Sequence, residues 1–260
     1  MPGIYIYADL DDSGSLALGE PAGVTDNDGY YQLMDVPPGN IIIREVLNPG
    51  WMISYPADGH HVVEVDPDAN TPNVDFGNVS IIDYGDAPEP YATLSEHGGA
   101  SHGMLYGFHL GEMVDAESNG LPHAGGTGDD LDNLNDEDGV VFADPVFAGF
   151  MGSAEVTVNT GAYSHGVLQA WIDFNGDGDW DDVGEQIASD LPLDDGVHSL
   201  EFAVPADAAV GYTFARFRYG YEYGLGPYGA AAAGEVEDHM LLVLEDHPNA
   251  VDDRYEIPQD

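Results

Sequence analysis

Apolar and polar residues alternate in short runs along this chain, and glycine, proline and aspartate separate the runs. Alternation at period two between turn residues predicts half-buried strands rather than helices. Such runs fall at residues 3–8, 30–34, 40–47, 51–55, 61–65 and 74–78, and again at 139–142, 154–158, 167–174, 198–204, 212–219 and 235–244. The only helical fragment, near residues 206–210, is too short to matter. Between the two groups of strands lies a Gly-rich, weakly periodic stretch from about residue 83 to 138. A connection of that length inside a compact domain is expected to be functional or ordered by a metal. Many short strands at regular spacing predict an all-β chain of sandwich type.

Two of the turns carry a cation-binding pattern. Calcium takes six to eight oxygens, and a loop of the EF-hand kind offers them at positions 1, 3, 5, 7, 9 and 12 with glycine at 6. After the 167–174 strand, Asp173, Asn175, Asp177, Asp179 and Asp181 occupy the odd positions, Gly178 is sixth, and Glu185 closes at thirteen. After the first strand, Asp9, Asp11, Ser13 and Ser15 take positions 1, 3, 5 and 7, Gly14 is sixth and Glu20 is twelfth. Both loops follow strands, so the expectation is calcium loops hung between strands, against the plainer alternative of solvated acidic turns. Further carboxylates that can reach a cation are Asp26, Asp83, Asp86, Asp136, Asp138, Glu235 and Glu237. Turn chemistry also accounts for Asp26, and a solvated charge run for residues 129–138.

Composition sharpens this picture. Among 260 residues there are 49 acidic side chains against four arginines and no lysine, for a net charge of −45. That charge repels phosphate backbones and anionic membrane surfaces, which excludes nucleic acid as a partner and disfavours membrane binding. It also opposes compaction, so divalent cations are expected to neutralise it, with adaptation to high salt as the rival explanation. With no cysteine, disulfides and thiolate metal sites are excluded. No apolar run is long enough to insert in a membrane as a helix.

The order of motifs resembles two families. Asp9 to Glu20, Thr25-Asp26 with Gly29-Tyr30-Tyr31, Val36-Pro-Pro-Gly39 with Arg44-Glu45, Pro49-Gly50-Trp51 and Val74-Asp-Phe-Gly-Asn78 resemble an SdrD B-like repeat over residues 3–78. That resemblance implies a small calcium-binding β-sandwich used as a stiff spacer in bacterial surface proteins. Ser13 departs from the Asn or Asp usual there, which implies a weaker site. Asp83-Tyr-Gly-Asp-Ala-Pro88, Asp115-Ala-Glu117, Asp136-Glu-Asp-Gly139, Ala170 to Asn175, Gly184-Glu-Gln-Ile187, Ala215-Arg-Phe-Arg218 and Gly234-Glu-Val-Glu-Asp238 are similar to the GEVED domain over residues 83–244. This implies a secreted or cell-surface bacterial context. Residues 247–258 resemble the opening strand of an Ig-like or cadherin-like repeat. The expected organisation is two tandem Ig-like β-sandwich modules with inserted calcium loops, at 1–79 and 80–245, then a linker or next repeat at 246–260. The whole is expected to be a piece of a longer polypeptide.

Three other features need a reading. In the last strand Val236, Asp238, Met240, Leu242 and Leu244 share a face, so Asp238 is in phase with apolar residues. A buried carboxylate needs a partner. Arg216 and Arg218 share one face of a neighbouring run, so an arginine pair is favoured over a metal. Tyr221, Tyr223 and Tyr228 lie in a Gly/Pro loop where ligand-contacting aromatics would sit. Ten histidines lack tight metal spacing, and no nucleophile elbow, zinc helix or phosphate loop is present. The expected function is therefore non-enzymatic: a structural pair of modules holding two or more Ca2+ ions in a secreted or surface protein, as spacer, matrix or filament component. Its partners would be neighbouring domains of the same polypeptide, identical chains or extracellular glycans. The alternative is an adhesive or glycan-binding module using the tyrosine loop.

Overall fold

In a computed structural model, residues 1–67, 70–128, 136–143 and 145–245 are described. The expected linker or next repeat at 246–260 lies outside them, as does the 129–135 part of the acidic run. The first strands are β1 (Tyr5–Asp9), β2 (Ala22–Val24), β3 (Gly39–Glu45), β4 (Trp51–Tyr55), β5 (His61–Val65) and β6 (Gly77–Ser80). They form one sheet in the order β2-β1-β3-β5 and a pair β4-β6, all antiparallel. Ile4, Ile6, Ala8 and Ile43 fill the core between them, with Tyr31, Leu33, Val63 and Phe76 packed alongside. The expected strand at 30–34 forms no ladder. Tyr31 and Leu33 still turn inward, so alternation there reports packing without strand pairing.

The rest of the chain supplies β7 (Ile82–Tyr84), β8 (Ser101–Gly103), β9 (Phe108–Leu110), β10 (Val140–Phe142), β11 (Val146–Phe147), β12 (Met151–Thr160) and β13 (Gly166–Ile172). It continues with β14 (Gln186–Leu193), β15 (Gly196–Ala203), β16 (Gly211–Gly220), β17 (Ala230–Ala231) and β18 (Gly234–Leu244). One sheet runs β11-β18-β16-β13-β14, and a second runs β10-β12-β15 with β9 also on β12. Their facing side chains, among them Val156, Phe202, Leu168, Phe217 and Val243, make one core, so this is a β-sandwich. β14 was not legible because Pro192 interrupts it. It lies at the sheet edge, where a missing N–H is tolerated.

The larger sheet is buried on both faces. On β16, Ala215, Phe217 and Tyr219 point into the sandwich. Phe214 belongs to a second apolar cluster with Ala87, Tyr91, Trp171 and Trp180 on the opposite face, where Arg216 and Arg218 also lie. The Gly-rich 83–128 stretch supplies that cover. It is not structureless: β7 and β8 pair with each other, β8 pairs with β17, and β9 joins the sandwich.

This corrects the phase read for the last strand. The sandwich core takes Leu241 and Val243, not Met240 and Leu242. Period two therefore puts Glu235 and Glu237 on the core-facing side, opposite Tyr219 and Phe217, and Asp238 on the other. The two parts of the chain meet through backbone. Gly50 N–H donates to Met104 O at 2.9 Å, and Ile81 N–H donates to Gly50 O at 2.8 Å. A Cβ on Gly103 would lie 2.5 Å from Ala232 O and 2.9 Å from Gly50 N, so only glycine permits this approach.

The corrected phase is testable by truncation. Leu241→Ala should cost about 2–5 kcal/mol in denaturant unfolding. Met240→Ala, at a residue 43% exposed, should cost less than about 1 kcal/mol. The reverse order would place the core on the wrong face.

Candidate cation sites and the buried charge network

The loop after β13 is built around Asp173, which is buried. Its Oδ1 accepts from Gly176 N–H at 2.6 Å, and its Oδ2 from Gly178 N–H at 3.0 Å and the Tyr91 hydroxyl at 2.6 Å. Gly176 and Gly178 have φ of 72° and 92°, which lets the backbone close around one carboxylate. Asp177 N–H then bonds Asn175 Oδ1, and Asp181 N–H bonds Asp179 Oδ1. The turn brings oxygens of Asp177, Asp179 and Asp182 within 4.8 Å of one another.

Two expected roles change here. Asp181 is exposed and outside that group, and Asp182 takes its place. Glu185 is buried and braces the loop ends, accepting from Phe174 N–H and Asp182 N–H, each at 3.2 Å. Burial pushes its pKa up to about 7, and the nearby Asp173 charge adds to the rise. Asn175 Nδ2 donates to Asp177 and Asp182.

The loop after β1 has the same plan. Asp9 accepts from Ser13 and Gly14 N–H, and Glu20 from Leu10 and Ala17 N–H, both at 2.8 Å. Asp9, Asp11 and Glu20 converge within 4.8 Å. Ser13 Oγ donates to Ser15 O at 3.0 Å, which ties the two serines to each other. Arg44 lies 2.6 Å from Asp9 and 3.1 Å from Asp12. Burial alone would raise the Asp9 pKa, but Arg44 and the two backbone donors outweigh it and hold it low.

Beside the sandwich core is a third group that is not a surface loop. Asp83, Asp136, Glu235 and Glu237 are all buried. Asp83, Glu117 and Asp136 have oxygens within 4.8 Å of one another. Glu117 was not among the expected ligands, although Asp115-Ala-Glu117 stood out as a motif. The spacing signal is missing because this site draws on distant parts of the chain. Burial and the adjoining carboxyl of Asp115 raise the Glu117 pKa. Burial, then the charges of Glu237 and Asp83, raise that of Glu235. Asp138 is nearby in sequence but caps a turn, accepting from Glu112 N–H at 2.8 Å. Asp86 lies elsewhere, accepting from Gly128 N–H at 2.6 Å. Asp26 is exposed and holds its own turn through the N–H groups of Asp28 and Tyr30, both at 2.9 Å.

Arg216 and Asp238 form a bidentate pair, Nε–Oδ1 and Nη2–Oδ2 each 2.7 Å, with both residues fully buried. Asp238 Oδ2 also accepts from Asp86 and Ala87 N–H, while Arg216 Nη1 donates to Ala92 O and Pro227 O. The guanidinium lies 4.3 Å from the Trp180 ring centre. One ion pair thus ties β16 and β18 to the covering segment. Arg218 does not share Asp238. Its Nε donates to His102 Nε2 at 3.0 Å, and its Nη atoms donate to Gly226, Tyr228 and Gly229 carbonyls. Burial, then the Arg218 charge, lower the His102 pKa to about 3, so the ring stays neutral and can accept.

Arg218 therefore shapes the tyrosine loop from beneath. Within it Tyr228 turns inward, its hydroxyl accepting from Trp180 N–H. Tyr221 leans on Tyr163 with ring centres 6.3 Å apart, and Tyr223 is 62% exposed. The three rings do not make a common platform.

Sheet order and carboxylate loops define an acidic β-sandwich protein with candidate cation sites at strand ends. Residues 167–242, from β13 into β18, match the family model of the GEVED domain. No curated protein and no solved structure matches the chain. The match includes Glu235, Glu237 and Asp238 but not Asp83, Glu117 or Asp136.

Breaking the central pair should be costly. Arg216→Ala leaves Asp238 buried without its cation and is expected to destabilise by about 3–5 kcal/mol in chemical denaturation. A loss below about 1 kcal/mol, the range of exposed pairs, would remove the pair from its central place.

Proposed function

We infer that this chain is a calcium-stabilised structural part of a larger extracellular or cell-surface bacterial protein, serving as spacer, matrix or filament component. The carrying observation is the loop after β13. There Gly178 N–H anchors the first carboxylate while Asp177, Asp179 and Asp182 converge. Calcium requires such an all-oxygen arrangement. The GEVED domain typically occurs in extracellular bacterial proteins, and among the described residues no helix is long and apolar enough to cross a membrane.

The SdrD B-like reading of residues 3–78 belongs to the same proposal. Its support is the motif order and the convergence of Asp9, Asp11 and Glu20 after β1. Module boundaries at 79–80 and 245–246 complete it; the sheets divide between β6 and β7, one residue past the first of these. Neighbouring domains of the polypeptide are the proposed partners, and no catalytic role is assigned. Extracellular calcium sites bind at roughly 0.1–1 mM, so at millimolar calcium each contributes on the order of 1 kcal/mol.

Thermal melting tests this directly. Millimolar calcium should raise Tm well above the value in chelator, and Asp177→Asn with Asp179→Asn should remove part of the rise. If molar sodium chloride with chelator gives the same rise, charge screening rather than ion binding stabilises the chain.

A further inference from the structure

The Gly234-Glu-Val-Glu-Asp238 segment opens β18, and the structure distinguishes what each residue does. Gly234 has φ of 130° and packs against Tyr219 O and His102. Asp238 holds Arg216. Val236 N–H donates to Asp83 Oδ2 at 2.6 Å. Glu235 and Glu237 are each 1% exposed and face the core side, where apolar residues would ordinarily sit. Something has to make two such carboxylates tolerable, since an unpaired buried charge is among the costliest features a protein can hold.

Backbone donors account for only one side of each group. Leu110 N–H donates to Glu235 Oε2, Gly139 N–H to Glu237 Oε1 at 2.8 Å, and Tyr84 N–H to Glu117 Oε2 at 2.9 Å. Donors of this kind favour the ionised carboxylate. Glu237 Oε2 meets His239 Nε2 at 2.9 Å. The second oxygen of Glu235 is buried and has no hydrogen-bond partner among the described residues, and beyond the Tyr84 N–H the Glu117 carboxyl meets the carboxyl of Asp115. The carboxyl of Glu235 lies in the field of Glu237, Asp83 and Asp136. Among the described residues no arginine hydrogen-bonds to Glu235, Glu237 or Glu117, although the Arg218 charge reaches Asp83. Arg44 is at Asp9, Arg216 at Asp238 and Arg218 at His102.

We propose that Glu235, Glu237, Asp83, Glu117 and Asp136 form an internal calcium site that fastens the covering segment to β18. Oxygens around one calcium lie no more than about 5 Å apart, given bonds of about 2.3–2.6 Å. Those of Asp83, Glu117 and Asp136 meet that limit, all lying within 4.8 Å of one another. Carboxylates drawn from separate segments suit the loose geometry of calcium, whereas magnesium demands a strict octahedron and retains water. Zinc would select histidine or cysteine, and the five groups are all oxygen donors. This site differs in kind from the two loops. Its ligands come from residues 83 to 237, so binding closes a long-range contact rather than a local turn.

The test is Glu235→Gln in the full chain, with calcium counted by equilibrium dialysis and Tm measured in calcium and in chelator. The variant should bind one ion fewer than the unsubstituted chain and melt lower in calcium. In chelator it should melt at the same temperature or higher, because it deletes a buried charge that nothing then neutralises. Glu117→Gln, nearer the surface, should behave alike if Glu235→Gln does not fold. The Asp177→Asn, Asp179→Asn chain should lose the loop ion yet keep this one, which separates failure here from failure of the loop reading. An unchanged ion count in both glutamine variants, or an equal Tm loss with and without calcium, would overturn the proposal.

Discussion

Positive charge is the scarce resource of this molecule, and its placement constrains everything else. Among the described residues ten carboxyl side chains are buried, against two buried arginines. Lysine is absent altogether. Each buried carboxylate must therefore find a guanidinium, several N–H donors, a proton or a metal ion. Asp238 takes Arg216, Asp9 takes Arg44, and Asp173 takes three donors from Gly176, Gly178 and Tyr91. Among the described residues Glu235 finds one N–H donor, from Leu110, for one of its two oxygens. A cation there would complete the same logic by the last of these routes.

That constraint also explains why the larger sheet carries a polar layer on one face. Arg216 and Arg218 stand between the sheet and its cover, each spending its donors on carbonyls of the overlying loops. Carbonyls of irregular segments need such donors when buried. Two arginines thus organise a long Gly-rich stretch and the tyrosine loop, with the Trp180, Tyr91 and Phe214 cluster closing the gaps. Local hydrogen bonds shape the exposed loops, whereas contacts between distant residues shape the internal group.

Alternation is legible in β12 and β15, where one face is wet, whereas β1 and β13 show only as apolar runs between turn residues. Sandwich class followed from their number and spacing. β7, β8 and β9 were illegible, since three-residue strands leave no period to read. β18 misled on phase because its first half is buried on both faces and the polar Glu235 and Glu237 occupy the core side. The carboxylates that converge in the exposed loops stand close to the alternate positions read from the sequence, with Asp182 rather than Asp181 in the second loop's group. Glu117 was not readable, because its partners lie 34 residues before it and 19 after, at Asp83 and Asp136. Only chain topology puts them together.

The central claim is that cations complete the buried carboxylate framework on which the cover rests. Amide hydrogen exchange at Tyr84, Gly139 and Val236, which donate to Glu117, Glu237 and Asp83, tests it most directly. In calcium these amides should exchange as slowly as the core amides of β13 and β16. In chelator at low salt they should lose protection first, while the core amides keep theirs. Equal protection with and without calcium would contradict the account.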